Sequence, residues 1–154
     1  MSNNHGDIAI EAPASYKWVE GTLTKITYVA EAGDVKYESL QKAIDAAKSK
    51  AVVTMLADTR ENVTISKALT LDLNGFTLNG STGERKAALK VDNATVTVKD
   101  SSANQTGTIK REDVEDPNVT GSNSYYVIDI QGGNGLLIFE GGNVTNTSGL
   151  VGVK

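Results

Sequence analysis

The chain has 154 residues, 39% hydrophobic but only 5% aromatic, with 15 Gly, 2 Pro and no Cys. The length allows one domain with a real core, and the missing cysteines exclude disulfides and thiolate metal sites. Net charge is −4, and Lys and Arg nowhere cluster with aromatics, which excludes a nucleic-acid reading; no apolar run approaches the about 20 residues that span a bilayer.

The hydrophobic residues are largely Val, Ile, Leu and Ala set among Thr and Asn, a mix suited to thin, repetitive β architecture. Residues 1–14 are polar and read as a flexible or tag-derived tail. Met1 to Gly6 resemble a start placed on a mature or excised fragment, and the sole histidine, His5, lies there as a solvated residue. Tyr16–Glu20 and Thr22–Ala30 read as strands, and Ala32-Gly33-Asp34 turns into Val35-Lys36-Tyr37 as a hairpin. Trp18 is assigned to packing.

Ser39 to Lys48 is the one clear helix. Leu40, Ala43, Ile44 and Ala47 follow the i, i+3, i+4, i+7 spacing of an apolar face. Ser39 suits the N-cap, but Lys42 three residues on makes no capping box. So short a helix must dock its apolar face, and it is placed to cap the strands that follow.

From Ala51 onward the signals are all strand. Ala51 to Leu56 is nearly continuously apolar, as in a strand covered on both sides. In Leu69 to Gly80, Leu69, Leu71 and Leu73 alternate with polar residues, and two Asn-Gly steps follow. Asn-Gly favours hairpins, but the arm between the two steps is short, and a corner leading into another strand is the alternative.

A repeat decides for the corner. Ile65, Val91, Ile130 and Val153 fall in one set of equivalent places, Leu71/Leu73, Val96/Val98 and Leu137/Phe139 in a second, and Leu78, Ile109 and Val144 in a third. Allowing for polar insertions at 100–105 and 111–124, the period is roughly two dozen residues. A meander has no reason to keep such a register. Stacked coils of parallel strands do, each burying about five aliphatic side chains at roughly 1.5–3 kcal/mol apiece.

Tyr37 to Ala47, Leu69 to Gly75, Val96 to Ser102 and Phe139-Glu140-Gly141-Gly142 together resemble the right-handed parallel β-helix (pectate-lyase-like) domains of large surface proteins from gut Firmicutes. The likeness covers roughly Ala30 to Lys154. It implies an all-β fold: a right-handed parallel β-helix of three to four coils (51–154, truncated at its C-terminal end) behind an N-terminal hairpin and capping helix (15–50). It also implies an extracellular or cell-wall-attached location. Such domains serve as stalks, adhesins, host-protein binders and carbohydrate-active enzymes alike.

The enzymes of that fold use clustered carboxylates, often with Ca²⁺. Here the outward positions stack as Thr64/Lys90/Asp129, Ser66/Asp92/Gln131 and Asn74/Lys99/Glu140, so no column gathers acids, and Lys90–Asp129 and Lys99–Glu140 read as exposed ion pairs. Asp72 reads as an isolated outward group. The acidic run from Glu112 to Asp116 lacks the Gly and spacing of a Ca²⁺ loop. Asn74 and Asn79 have the makings of an amide ladder.

The expectation is therefore a non-enzymatic stalk or adhesin-type module for a host glycoprotein, immunoglobulin or glycan, with no cofactor, metal, catalytic residue or membrane insertion. The binding candidates are Arg111, Asp113, Glu115, Asp116, Tyr125 and Tyr126. The rival is the N-terminal part of a β-helix polysaccharide lyase or glycoside hydrolase. A chain ending mid-coil at Val151 to Lys154 is also expected to associate end to end.

Overall fold

The structure, a computed structural model, describes residues 10–84, 86–112 and 126–148. Within them the protein is mostly β, with one short helix. The described residues begin with β1 (Tyr16–Val19) and β2 (Thr22–Lys25), an antiparallel ribbon bonded to no other described strand. Glu20 and Gly21, at φ 48° and 77°, make its turn. Both strands lie where the sequence places strands, but they pair with each other, the longer one breaks after Lys25, and β3 (Ala30–Ala32) pairs with β4 (Val35–Tyr37) in the expected hairpin.

Helix α1 (Leu40–Ala46) is shorter than predicted but carries the predicted face, with Leu40, Ala43 and Ile44 buried. Ser39 is its N-cap, accepting from Lys42 N–H at 3.3 Å. The missing capping-box carboxylate comes from far along the chain. Glu61 accepts from Leu40 N (2.8 Å), Gln41 N (3.1 Å) and Ser39 Oγ (3.0 Å).

Then follow β5 (Val52–Met55), β6 (Thr59–Arg60), β7 (Val63–Ile65), β8 (Leu69–Asp72), β9 (Thr77–Asn79), β10 (Leu89–Asp92), β11 (Thr95–Lys99), β12 (Thr108–Arg111), β13 (Ile128–Gln131), β14 (Leu136–Phe139) and β15 (Asn143–Asn146). They gather into three sheets, ordered β7-β10-β13, β5-β8-β11-β14 and β6-β9-β12-β15, with β3 and β4 extending the second. Every pairing among β5 to β15 is parallel. The chain visits the sheets in one cyclic order, so each strand pairs with those three elements away.

Asn74-Gly75 shows why local signals mislead here. The two residues have φ of 47° and 82°, and Phe76 N bonds Leu73 O at 2.8 Å, which is hairpin-turn geometry. Yet β8 already has β5 on one edge and β11 on the other. No edge is left for β9, which passes into the third sheet.

The inward columns Ile65/Val91/Ile130 and Leu78/Ile109/Val144 are in the expected register. In the second sheet β11 and β14 pair as expected, Val96 beside Leu137 and Val98 beside Phe139, but β8 is shifted by two: Val96 lies beside Leu69 and Val98 beside Leu71. Leu71, fully buried, thus stacks between Val53 and Val98, a burial worth about 1.5–3 kcal/mol. β5 is not covered on both sides: Val53 and Met55 face the core, while Val52 is 43% exposed. In β14, Phe139 lies beside Val98 but remains 40% exposed, since no described strand pairs with its far edge.

Candidate functional site

The alternation Thr77-Leu78-Asn79 and Thr108-Ile109-Lys110 buries Leu78 and Ile109, so Asn79 and Lys110 project from the outer face of the third sheet. The register places Arg60, Asn79 and Lys110 side by side on β6, β9 and β12. They line a shallow groove of about 310 Å³ with Asp58, Thr77 and Glu112.

Glu112 organises this groove. Its Oε1 accepts from Asn79 Nδ2 (2.7 Å) and Arg60 Nη2 (3.0 Å), and its Oε2 from Lys110 Nζ (2.9 Å). The bonds from Lys110 and Asn79 hold its carboxyl below the usual glutamate range. Asn79 Oδ1 accepts from Ser81 N at 3.0 Å, Arg60 Nη1 donates to Ser81 O at 2.8 Å, and Asp58 Oδ1 accepts from Thr77 N at 2.8 Å. The groove is polar, charge-balanced and internally bonded.

A second acidic pair occupies the corner between the second and third sheets. Asp72 is buried rather than isolated and outward. It accepts from Asn74 N (3.0 Å) and Ser101 N (2.9 Å) and pairs with Lys99 at 3.3 Å. Asp100, one circuit on, accepts from Gly75 N (2.9 Å), Ser102 N (3.0 Å) and Gly107 N (2.6 Å). Burial opposes both charges. For Asp72 the hydrogen bonds from Ser101, Asn74 and Lys99 outweigh it, and for Asp100 those from Ser102, Gly107 and Gly75, so both carboxyls lie below the ordinary aspartate value. These acids hold backbone.

Of the predicted binding residues, Asp113, Glu115, Asp116 and Tyr125 lie outside the described residues, as do His5 and Val153. Tyr126 is half-buried at the entry to β13. Arg111 is fully buried, its guanidinium donating to Lys86 O and, at 2.9 Å, to Glu84 O. Its position two residues after Ile109 was the available signal, since alternation turns both to the same side. Lys90 and Lys99 pair with Asp92 (3.5 Å) and Asp72 (3.3 Å) in place of Asp129 and Glu140. Asn74 and Asn79 form no ladder with each other: Asn74 donates to Met55 O at 3.0 Å and Asn79 to Glu112.

The ribbon leaves Trp18, expected to be a packing residue, half-exposed. Tyr16 and Trp18 alternate onto one face with Leu23, which lies opposite Trp18, and all three are 40–47% exposed. The indole is oriented by a 2.9 Å bond from Nε1 to Ile10 O, and Lys17 pairs with Glu38 at 2.5 Å. No family model, curated protein or solved structure matches the chain.

Proposed function

We propose that this chain is a right-handed parallel β-helix domain of a bacterial surface protein, extracellular or cell-wall-attached, acting as a stalk-borne binding module. The cyclic visiting of three parallel sheets supports the β-helix reading. The surface location rests on the family resemblance. The observation that carries the binding role is the ribbon β1–β2, which holds Tyr16, Trp18 and Leu23 half-exposed on one face. Trp and Tyr are the side chains that most often dominate recognition interfaces, because they bring a large apolar area and a polar handle at low entropic cost. The carboxylates of the corner bond backbone amides and Lys99, which fits a frame.

The ligand class is a host glycoprotein, immunoglobulin or glycan. The test is binding of the immobilised protein to panels of each, in parallel with Trp18→Ala. Specific capture that Trp18→Ala abolishes supports the reading, and capture unchanged in the variant removes the ribbon from it. Turnover of pectins, glycosaminoglycans or host glycans in the presence of Ca²⁺ would establish the rival lyase or hydrolase.

A further inference from the structure

The groove on the third sheet holds the parts of a self-crosslinking site. Lys110 and Asn79 are direct partners across the parallel pair β9–β12, and both project outward. Glu112 bridges them, with Oε2 at 2.9 Å from Lys110 Nζ and Oε1 at 2.7 Å from Asn79 Nδ2. The acceptor carbonyl is already polarised, since Asn79 Oδ1 receives the Ser81 N–H at 3.0 Å. Asn79 is buried, at 7% exposure, while the lysine and glutamate side chains reach it from the half-exposed rim, at 34% and 39%.

We propose that Lys110 and Asn79 form an intramolecular isopeptide bond, with Glu112 as the proton carrier. Glu112 takes a proton from the Lys110 ammonium, and the freed Nζ lone pair attacks Asn79 Cγ. A C–N bond forms while the carbonyl pair moves onto Oδ1, where the Ser81 N–H stabilises it. Collapse of this intermediate breaks the Cγ–Nδ2 bond. Two protons in all pass from Nζ through Glu112 to Nδ2, which leaves as ammonium. The carboxylate is regenerated and nothing is oxidised or reduced. Amide aminolysis is slow between free molecules, but strand pairing and the shared carboxylate hold the two side chains together, which removes the entropic cost of their encounter. The step consumes a neutral amine, so alkaline medium accelerates it.

The competing way to lose ammonia is succinimide formation at Asn79-Gly80. Gly80 N–H is engaged with Lys110 O at 2.9 Å, which withdraws it from attack on its own side chain. The crosslink would covalently tie two successive circuits of the chain, and it stands independently of the ribbon's role in binding.

The test is intact-mass and tryptic analysis of the purified chain, as expressed and after prolonged incubation at about pH 9, where the free-amine fraction of a lysine is larger. The expected result is a mass lower by one ammonia and a branched peptide joining the Asn79 and Lys110 segments. Lys110→Arg, which keeps the charge beside Glu112, and Glu112→Gln should both return to the full sequence mass while melting cooperatively. Full mass in the unmodified chain after alkaline incubation overturns the proposal. So does an ammonia loss that hydroxylamine cleaves at Asn79-Gly80, or a linked peptide that persists in Lys110→Arg.

Discussion

Gln41 stands against Thr64 as a neighbouring strand would. Its Oε1 accepts Thr64 N–H at 2.8 Å and its Nε2 donates to Thr64 O at 3.0 Å. β7 is the outer strand of its sheet, so one side chain of α1 closes the ladder where another chain could add. Gln41→Ala should therefore cost about 1–2 kcal/mol, read as a lower urea midpoint, and should speed amide exchange at Thr64. Unchanged exchange there would show that the contact does not seal the edge.

Glu61 caps α1 across the chain. Glu61→Ala removes acceptors for Leu40 N, Gln41 N and Ser39 Oγ together. A single cap is worth roughly 0.5–2 kcal/mol, and the loss here should reach the upper part of that range. Glu61→Gln, which keeps the acceptor oxygen but loses the charge, should fall between. Thermal melts of the three proteins order the effects.

Asp72 and Asp100 make the fold acid-sensitive. Their hydrogen bonds hold both carboxyls below the ordinary aspartate value, so the unfolded chain binds protons first as the pH drops. Their contribution is complete above the unfolded value and disappears as pH falls below it through the lowered folded values. Urea midpoints taken from neutral pH down to about pH 2.5 should drop most steeply below about pH 4. Asp100→Asn should start about 2 kcal/mol lower and show a shallower acid slope. An unaltered slope would assign the acid response elsewhere.

Gly107 is required by space. A Cβ there would lie 2.5 Å from Leu73 Cβ and 2.7 Å from Asp100 Oδ2. Gly107→Ala must push apart a buried leucine and a carboxylate that bonds the same residue's N–H. The expected cost is about 2–4 kcal/mol, visible as a depressed melting temperature.

Trp18→Ala, by contrast, should leave stability within about 0.5 kcal/mol, because the residue is 47% exposed and lies on a ribbon bonded to no other described strand. As the only tryptophan, it should be readily quenched by acrylamide in the free protein.

The sequence alone determined the inward columns of the first and third sheets. Side-chain alternation is strict, and a one-residue slip at Ile65, Val91, Ile109 or Leu78 would turn a whole aliphatic set to solvent. It also determined the face of α1, since Leu40, Ala43 and Ile44 satisfy only one periodicity. A two-residue slip costs no such inversion. Leu69, Leu71 and Leu73 all meet the inward pattern, so only the packed neighbours chose Leu69 for Val96, and that choice put Asp72 beside Lys99 and into the corner. Tertiary structure likewise decided the roles of Glu61, Gln41 and Arg111, and the meeting of Asn79, Lys110 and Glu112. Glu61 reaches Leu40, Gln41 reaches Thr64, Asn79 reaches Glu112 and Arg111 reaches Glu84 across more than twenty residues of chain. No local propensity encodes such a pairing; it exists only once successive circuits of the chain are stacked.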